Sequence, residues 1–563
     1  MKKFIAILLS LIMVVSLSAC DLSKTGNVSQ NQGGSNLQQG NSDNSNTESS
    51  DNGTSSNNGT GSNNGTGSNN GTSSNNGTGS NNGTSSNNGT SSNTGTSSGS
   101  SIGLKDNYKT IGKVDPTNPA VYTLDCMTSM NVWQTPKSDK ASDTAAKNML
   151  KTIEARPDTL KPKSGGRYIY VSNDGKDASG NGYSASKPVA TIAYANKLAK
   201  AGDVVVLNRG DFWRERIVGI EGVSYGAYGS GNKPTLYGSP ENLANRTWTA
   251  TDKKDVYSVP LGSTSNVGAL VFDHGVAVAS FKFKADDVKD NYDFYVSGAK
   301  AYVYCTDGNP GELFANIETC SGGHIIKLQS NSTVQNLRLM YTGAHGISMS
   351  TVSNVEIDGC VIGYIGGSIQ GGVGNNTTRF GNGVEVYGGC DGYIIRNCHV
   401  YQCYDAGITM QYSNSKVENN ILFENNLLEY SVYNIEYFMG GEEGIMKNVL
   451  IQNNVVRYGG YGWGYHTRAD KNRGTNMQGR GKQNKTENFV FKNNIFDHSK
   501  SFLIEISAVD AKYYPKFIGN TYYQLNNSRV ARIQDKDYGV KRYGAQTVTE
   551  FLGDTTGKLI IYK

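Results

Sequence analysis

Five related segments in the second half of the chain decide its fold: VEIDGCVI from Val355, YIIRNCHV from Tyr393, KVENNILF from Lys416, VLIQNNVV from Val449 and FVFKNNIF from Phe489. In each, a β-prone triplet leads into a two-residue step of small or polar residues and then into apolar residues. VQNLRLM from Val334 is a looser sixth copy. Such repetition is typical of stacked architectures, in which every unit buries its apolar face against the next one.

The spacing of the copies predicts parallel strands that climb. The second residues of the steps are Cys360, Cys398, Asn420, Asn454 and Asn494, which are separated by 38, 22, 34 and 40 residues. Because a unit of 22 residues leaves no room for a crossover helix, the chain must coil on itself. We expect these second residues to form an inward ladder in which each Asn amide bonds its copy on the neighbouring coils. The alternative is that the Asn pairs are only turn formers.

A second short strand follows each copy. These strands are GISM from Gly346, GVEV from Gly383, GITM from Gly407, NIEY from Asn434, GWGY from Gly462 and LIEI from Leu503. Apolar residues flank one outward position in each strand. The outward positions are Ser348, Glu385, Thr409, Glu436, Gly464 and Glu505. Because side chains alternate between the two faces of a strand, we expect these six positions to form one column on the outer surface.

The run from Gly166 leads into this architecture. It is RYIYVSNDGKDASGNGYSASKPVATIAYANKLAKAGDVVVLNRGDFWRERIVG from Arg167, followed by GAYGSGNKPTLYGS, and it predicts a strand at 168–171, a helix near 190–201 and further strands. It resembles the first coils and capping helix of right-handed parallel β-helix proteins of the pectate-lyase-like superfamily, over residues 166–506. The resemblance implies an all-β fold, a right-handed parallel β-helix (solenoid) with an N-terminal capping helix. It indicates the fold and not the chemistry, because that superfamily includes lyases, hydrolases, epimerases and non-catalytic binders.

Two segments depart from the repeat. Between about 241 and 318 the periodicity lapses, and VYSV, ALVF, FYVS and AYVY predict an inserted antiparallel β element. Residues 507–563 are rich in Tyr and charge. We expect this segment to cap the open end of the solenoid, where unpaired strand edges would otherwise be exposed.

The N-terminal segments are predicted to lie outside the solenoid. Lys2 and Lys3 precede an apolar run that ends in LSAC at Cys20. Residues 1–20 thus resemble a bacterial lipoprotein signal peptide, in which Cys20 carries the lipid. Residues 21–103 form a disordered Asn/Gly/Ser/Thr tether, because they offer almost no apolar side chain to bury. Residues 104–165 are a leader segment with a helix at 141–154. We expect an extracytoplasmic location at the bacterial cell surface, with the lipid as membrane anchor.

Composition narrows the partners and cofactors. The net charge of +5 is small for 563 residues and forms no basic stripe, which argues against nucleic acid as a partner. Seven of the eight cysteines remain after Cys20, and an odd number argues against a complete disulfide framework. The spacing of Cys and His does not indicate zinc. We expect a monomer without a cofactor or metal.

Two carboxylates in the outward column are the candidate catalytic groups. Glu385 and Glu436 would lie two strands apart, with backbones roughly 10 Å apart and carboxyl groups anywhere from about 5 to 10 Å apart. This range covers retaining glycosidases near ~5 Å and inverting ones at about 6.5–9.5 Å. Asp405 lies at the edge of the same strip and would orient a water or shift the pKa of a neighbour. The alternative is that outward glutamates are only solvated.

Aromatic residues surround the pair. Tyr433, Tyr437, Trp463 and Tyr465 are candidates for binding the apolar faces of sugar rings, because an aromatic ring with a polar edge suits such a face. The alternative is that these rings pack under loops.

A long basic loop follows Tyr465, with six Lys or Arg residues against Asp470 and Glu487. Long loops on a solenoid usually build the binding face. His466 would act as acid or base, and Arg468 would clamp a uronate carboxylate. The alternative is a solvated basic loop.

Three functions of different class follow. The favoured function is a glycoside hydrolase that cleaves a polysaccharide with Glu385 and Glu436, supported by Asp405. The second is a polysaccharide lyase that neutralises a uronate with Arg468 or Ca²⁺. The clustered Asp calcium ligands that many pectate lyases show are missing from the sequence, which disfavours this second function. The third is a non-catalytic polysaccharide-binding surface protein.

Overall fold

The computed structural model describes residues 139–262, 264–275, 277–412, 416–468 and 474–562. The predicted signal peptide with Cys20, the tether and most of the leader lie outside the described residues. The described chain winds into a parallel β-helix with three long sheets. Its shortest coils leave no room for a crossover helix: Val204 pairs in parallel with Ser224, 20 residues later, on the next coil.

The first sheet has ten strands, and all of its neighbours pair in parallel. In coil order the strands are Tyr168–Val171, Val204–Asn208, Ser224–Tyr228, Thr333–Gln335, Ser353–Asp358, Asp391–Arg396, Val417–Glu424, Ile445–Gln452, Thr486–Lys492 and Lys516–Ile518. Apolar side chains at alternate positions, such as Ile421 and Phe423, point into the core. The alternation of the sequence therefore fixes which face of the sheet is buried.

The second sheet has thirteen strands. They are Phe212–Trp213, Thr235–Tyr237, Val267–Phe272, Ala277–Val278, Ile317–Ser321, Arg338–Thr342, Val361–Ile365, His399–Cys403, Leu427–Glu429, Val455–Gly459, Ile495–Ser499, Thr521–Leu525 and Lys558–Tyr562. Val267–Phe272 runs antiparallel to both of its neighbours, whereas the coils from Arg338 onward pair in parallel.

The third sheet has ten strands. They are Ile217–Val218, Ile326–Leu328, Ile347–Ser350, Val384–Tyr387, Ala406–Tyr412, Tyr433–Met439, Thr475–Gly479, Phe502–Ile506, Arg529–Ile533 and Lys536–Gly539. The predicted second strands lie here, with one correction. GWGY is not a strand, because the short helix Trp463–Thr467 occupies it, and Thr475–Gly479 supplies the strand of that coil.

The predicted inward Asn ladder exists, with one member corrected. Asn454 Nδ2 donates to Asn494 Oδ1 at 2.9 Å, and Asn426 Nδ2 donates to Asn454 Oδ1 at 2.9 Å. Asn426, and not Asn420, fills the position before Asn454. Asn420 is exposed on the outer face of the first sheet and bonds Asp391 at 2.9 Å. The ladder satisfies amide groups that would be costly to bury alone.

Two helices cover the solenoid, one at its first coils and one on the outer face of the second sheet. Ile192–Leu198, the predicted capping helix, begins after Thr191, whose side chain accepts from the N–H of Tyr194. Lys140–Glu154, close to the predicted leader helix, packs on the outer face of the second sheet through Ala146 and Ile153. The remaining helical segments are Leu243–Asn245, Asp273–Gly275, Ala285–Asp287, Pro310–Leu313, Trp463–Thr467, Gly374–Asn376, Ala511–Tyr513, Val540–Tyr543 and Thr547–Phe551.

The inserted element, predicted as antiparallel, is a sheet of five strands: Ser280–Phe281, Asp293–Ser297, Lys300–Tyr304, Val256–Pro260 and Thr249–Ala250. Its first two strands pair in parallel, and its other neighbours pair antiparallel. It has its own apolar core, which includes Trp248, Phe294 and Phe314. ALVF, which the sequence assigned to this element, instead belongs to a strand of the second solenoid sheet.

The solenoid continues past Ile506, where the sequence had placed only a cap. Each long sheet gains a further strand there, at Lys516–Ile518, Thr521–Leu525 and Arg529–Ile533. The cap follows with the antiparallel strand Lys536–Gly539 and the helical turns after it.

The six cysteines of the described residues are free and buried. None of the helices that the structure describes is long and apolar enough to cross a membrane.

Candidate active site

Three excursions leave the solenoid at one corner, where coils pass from the second sheet to the third. They lie within the described parts of residues 238–325, 366–383 and 460–468, and within the first of these the strands Val267–Phe272, Ala277–Val278 and Ile317–Ser321 return to the second sheet. The first carries the inserted sheet, the second carries the hairpin Ser368–Ile369 with Arg379–Phe380, and the third carries the helix Trp463–Thr467. The first two are in contact, since the Arg379 guanidinium lies 4.9 Å from the Phe281 ring centre. Together they border the outer face of the third sheet.

One column of side chains runs along that outer face. In successive strands it consists of Lys327, Ser348, Glu385, Thr409, Glu436, Gln478, Glu505 and Arg532. Glu385 pairs in register with Thr409, and Thr409 pairs with Glu436. Two strand spacings put roughly 10 Å between the backbones of the glutamates. Gln478 holds the place that the sequence assigned to Gly464, which lies in the short helix instead.

Glu385 is held as a carboxylate by three donors. His345 Nε2 lies 3.0 Å from its Oε1, Ser348 Oγ donates to Oε2 at 3.1 Å, and Gln411 Nε2 donates to Oε1 at 3.4 Å. Burial by itself raises the pKa of Glu385. The nearby imidazole of His345, which donates a hydrogen bond, and the bond from Ser348 outweigh burial, so the pKa lies below its ordinary value.

Glu436 is covered more deeply than Glu385. Its side chain is 3% exposed, against 15% for the Glu385 side chain. Arg480 Nη1 lies 3.8 Å from Glu436 Oε1, and its guanidinium lies 5.2 Å from the Phe438 ring centre. The Arg480 side chain is 42% exposed, so a long, partly solvated arginine lies beside the buried carboxylate.

Two buried polar atoms flank Glu436 in the column. Thr409 Oγ1 and Gln478 Oε1 are buried and find no hydrogen-bond partner among the described residues. Gln478 uses its amide nitrogen instead, donating to Glu505 Oε2 at 2.8 Å. Leaving a buried polar atom unsatisfied costs about 1–3 kcal/mol. A water or a substrate hydroxyl group bonded to these two oxygens would satisfy both of them.

Asp405 and Arg468 form an ion pair at the corner. Arg468 Nη1 lies 2.9 Å from Asp405 Oδ1, and its guanidinium lies 5.1 Å from the Tyr404 ring centre. Burial opposes the charge on Arg468, but Asp405 and Tyr404 outweigh it and raise its pKa. His466 lies on the exposed side of the short helix. Thus His466 and Arg468 lie in the third excursion and do not follow a strand of the column.

The aromatic residues predicted to bind sugar are placed differently. Tyr437 is fully buried inside the solenoid, because it alternates with Glu436 and so points inward. Trp463 is also fully buried, and its Nε1 donates to the carbonyl of Gln402 at 2.7 Å. Tyr433 is 1% exposed and packs with Ala406 under Tyr465, which alone of the four remains partly exposed. Their predicted binding role is therefore wrong for Tyr437, Trp463 and Tyr433.

Sequence analysis missed His345, Gln411 and Gln478 as neighbours of the glutamates. His345 precedes the strand GISM by one residue, and Gln411 continues the strand GITM. Both could have been found by extending the column to the positions beside it. Gln478 could not, because its strand was assigned to the wrong segment.

A family model described as a right handed beta helix region matches residues 287–421 and 315–476. The fold is a right-handed parallel β-helix. No curated protein matches the chain.

Several solved structures are similar to parts of this β-helix. The complex of XylC with xylose has a TM-score of 0.40 at 11% identity and covers 65% of this chain and 69% of that chain. Pectate lyase Pel9A has a TM-score of 0.39 at 12% identity and covers 67% and 73%. The GH136 lacto-N-biosidase from Eubacterium ramulus has a TM-score of 0.35 at 14% identity and covers 70% and 67%. At such low similarity, the activity of this chain has to be argued from its own residues.

Proposed function

We propose that this protein is a glycoside hydrolase that cleaves a polysaccharide with Glu385 and Glu436. One observation carries the proposal: the strand register puts both carboxylates in a single outward column, separated only by Thr409. Backbones two strands apart allow carboxyl separations from about 5 to 10 Å, the range in which paired carboxylates hydrolyse glycosidic bonds.

The surroundings of Glu385 indicate its role, and the role of Glu436 follows by elimination. Three hydrogen-bond donors and a lowered pKa favour the ionised form of Glu385, which suits a base or nucleophile. Glu436 is then the acid. It gives a proton to the glycosidic oxygen as the bond from that oxygen to the anomeric carbon breaks. Water supplies the new oxygen at that carbon, and Glu385 takes the proton that the water loses. General acid–base catalysis of this kind contributes about 10²–10⁴-fold to a rate.

Access to Glu436 requires a movement of its cover. With 3% of the Glu436 side chain exposed, a glycosidic oxygen reaches it only after a neighbouring side chain is displaced. Arg480 is the candidate, because its guanidinium is close to the carboxylate and its side chain is 42% exposed. The unsatisfied oxygens of Thr409 and Gln478 would then bond the hydroxyl groups or water brought in by the substrate.

The groups at the corner support the site. Asp405 and Arg468, paired at 2.9 Å, would hold the third excursion against the third sheet. His466, which is exposed on that excursion, would contact substrate.

A polysaccharide lyase is the second candidate, and Arg480 favours it. The partly exposed guanidinium of Arg480 would neutralise the acid group of a uronate. The Glu436 carboxylate beside it would then be the base near the C5 proton. A non-catalytic polysaccharide-binding protein is the third candidate and would use the same surface.

Location is part of the proposal. The LSAC sequence at Cys20 and the tether of residues 21–103 would hold the enzyme at the bacterial cell surface, close to polymers outside the cell. Labelled fatty acid should be incorporated into wild type and not into Cys20→Ala. Equal labelling of the two proteins would contradict the lipid anchor.

A product screen separates the three functions. Uronate-containing and hemicellulose polymers are incubated with wild type, Glu385→Gln, Glu436→Gln and, as a control, Glu487→Gln, a solvated residue on the first sheet. The hydrolase gives saturated reducing ends, and each site variant lowers the rate at least about a hundredfold while the control does not. A lyase gives unsaturated ends that absorb ultraviolet light, and a binder leaves the polymer intact. Activity that survives in both site variants would refute the assignment of the glutamates.

A further inference from the structure

The tautomer of His345 is fixed by its backbone neighbour. The N–H of Asn382 donates to His345 Nδ1 at 3.0 Å, so Nδ1 is an acceptor. The ring proton must then be on Nε2, which lies 3.0 Å from Glu385 Oε1. His345 therefore donates to Glu385 in its neutral form.

The ring of His345 is also fixed in orientation. It stacks on His324 of the preceding coil, with ring centres 5.0 Å apart and planes inclined by 15°. The edge of Phe380, from the hairpin excursion, contacts it at 5.3 Å and 69°. Only 6% of the His345 side chain is exposed. A ring enclosed on two sides and bonded through both nitrogens does not turn freely.

We propose that His345 is the positioning residue of Glu385: it fixes the direction of the carboxylate through Nε2–H and keeps that carboxylate ionised. The inference rests on the proposed function, in which Glu385 is the base or nucleophile. His345 touches Glu385 and not the substrate, so it acts through the glutamate.

The charged and titratable groups around Glu385 agree with this role. His345 and His324 face it from the two preceding coils. Within the column, Lys327 lies two strands before it, beyond Ser348, and Glu436 lies two strands after it, beyond Thr409. Burial and the nearby His345 lower the pKa of His324 to about 4. His324 is therefore neutral at ordinary pH and supports the stack as a ring, which leaves His345 as the imidazole that bonds the carboxylate.

A matched pair elsewhere in the protein provides the control. His399 Nε2 lies 3.0 Å from Glu429 Oε1, the same separation as in the His345–Glu385 pair. Both members are buried on the outer face of the second sheet, away from the column. Replacement of His399 removes the same kind of contact without touching the proposed site.

Two substitutions test the two hydrogen bonds of the His345 ring separately. His345→Gln offers an amide N–H to Glu385 in place of Nε2–H but carries no charge. His345→Asn offers an oxygen to the N–H of Asn382 in place of Nδ1 but cannot reach Glu385. A role in positioning predicts that Gln retains more activity than Asn, whereas a purely structural role predicts the reverse.

The experiment measures pH profiles of kcat and KM, and pH-dependent difference infrared spectra, on the full chain. The spectra follow the carboxyl band that is lost in Glu385→Gln. We expect His345→Asn to lower kcat by at least about tenfold with little change in KM. We also expect two midpoints to rise by about one pH unit: that of the acid limb of the kcat profile and that of the titration of the carboxyl infrared band. His345→Gln lies between Asn and wild type. His399→Gln leaves both midpoints unchanged.

Unshifted midpoints in both His345 variants would overturn the proposal, as would equal shifts in His399→Gln. If the band shifts as expected but wild type cleaves no polymer, the positioning of Glu385 by His345 stands and the proposed hydrolase function fails. If His345→Asn does not fold, the band midpoint of His345→Gln decides: a shift supports the proposal and no shift overturns it.

Discussion

Asp143, in the helix before the solenoid, lies 2.8 Å from Arg457, 314 residues later in the chain. Arg457 is buried and also lies 2.7 Å from Glu429, which in turn contacts His399 at 3.0 Å. Burial alone would raise the pKa of Glu429, but Arg457 and His399 lower it to about 2. The helix thus covers a row of charges on the second sheet.

Substitutions at the two ends of this row should lower the free energy of unfolding by different amounts. Arg457→Met leaves the Glu429 carboxylate buried without its arginine, and breaking a buried pair in this way costs about 3–5 kcal/mol. Asp143→Asn removes a carboxylate whose side chain is 40% exposed, and such a pair is worth about 0–1 kcal/mol. Chemical unfolding of the full chain measures both. Equal losses from the two variants would show that the helix end, and not the buried charge, governs stability here.

The Asn ladder predicts a cooperative contribution to stability. Asn454 donates to Asn494 and accepts from Asn426, and its Nδ2 also donates to the Phe423 carbonyl at 3.1 Å. Asn454→Ala breaks these bonds and leaves buried partners unsatisfied, so we expect a loss of about 2–4 kcal/mol in the free energy of unfolding.

An exposed ladder on the first sheet offers the control for this loss. Asn448 bonds Asn419 and Asn488 at 3.0 Å each, but all three are on the surface. Asn448 has φ of 53°, so Gly is the substitution that suits its backbone. Asn448→Gly should cost less than about 1 kcal/mol, because water replaces the lost bonds. A loss as large as that of Asn454→Ala would show that burial does not set the cost.

The ladder also shows how far sequence reasoning reaches. The repeat and its period predicted parallel coils and the inward positions of Asn454 and Asn494. The error at Asn420 arose because this coil contains two Asn pairs in succession, at 419–420 and 425–426. Only the alternation of Ile421 and Phe423, which point inward, distinguishes them.

The candidate site was predicted only in part, because alternation within strands shows which residues point outward but not what covers them. Alternation gave the register of Glu385, Thr409 and Glu436. The excursion that buries Trp463 crosses several coils, and the approach of His345 to Glu385 depends on the length of the insertion between their strands. These are tertiary contacts without a local periodic signal.

Asp273 predicts a pH-dependent stability. It is fully buried in the turn after Val267–Phe272, where burial raises its pKa to about 7 despite a 2.7 Å bond from the N–H of Asn316. A carboxyl whose pKa is raised in the folded state binds its proton more tightly there. Its contribution is fully present below the unfolded pKa near 3.8 and is lost as pH rises towards about 7.

Asp273→Asn removes this dependence. The amide has the same shape and tolerates the φ of 40° at this position. Relative to wild type, the variant should gain stability as pH rises from about 4 to about 8, by on the order of 4 kcal/mol at most. Unfolding midpoints measured across this range test the difference. A difference between the two proteins that stays constant with pH would refute the raised pKa.

Thr409 predicts a separation of activity from stability. Its hydroxyl lies between the two glutamates, is fully buried and finds no partner among the residues that the structure describes. Thr409→Val keeps the shape and removes the unsatisfied oxygen, so the folded state should be unchanged or more stable by about 1 kcal/mol. If that oxygen holds water or a substrate hydroxyl for Glu385 and Glu436, kcat should fall by about ten- to a hundredfold.

Thr475 of the same sheet is the control. Its Oγ1 is also buried and finds no hydrogen-bond partner among the described residues, but it lies outside the column. Thr475→Val should change stability to the same degree and leave kcat unaltered. Unfolding curves and kcat, measured on the polymer that the product screen identifies, give the comparison. Because both substitutions remove an equivalent atom, a loss of kcat confined to Thr409→Val can only come from the position of Thr409 between the carboxylates. An equal effect of both substitutions on kcat would show instead that any such change in the third sheet lowers activity. It would then contradict the assignment of the column as the active site.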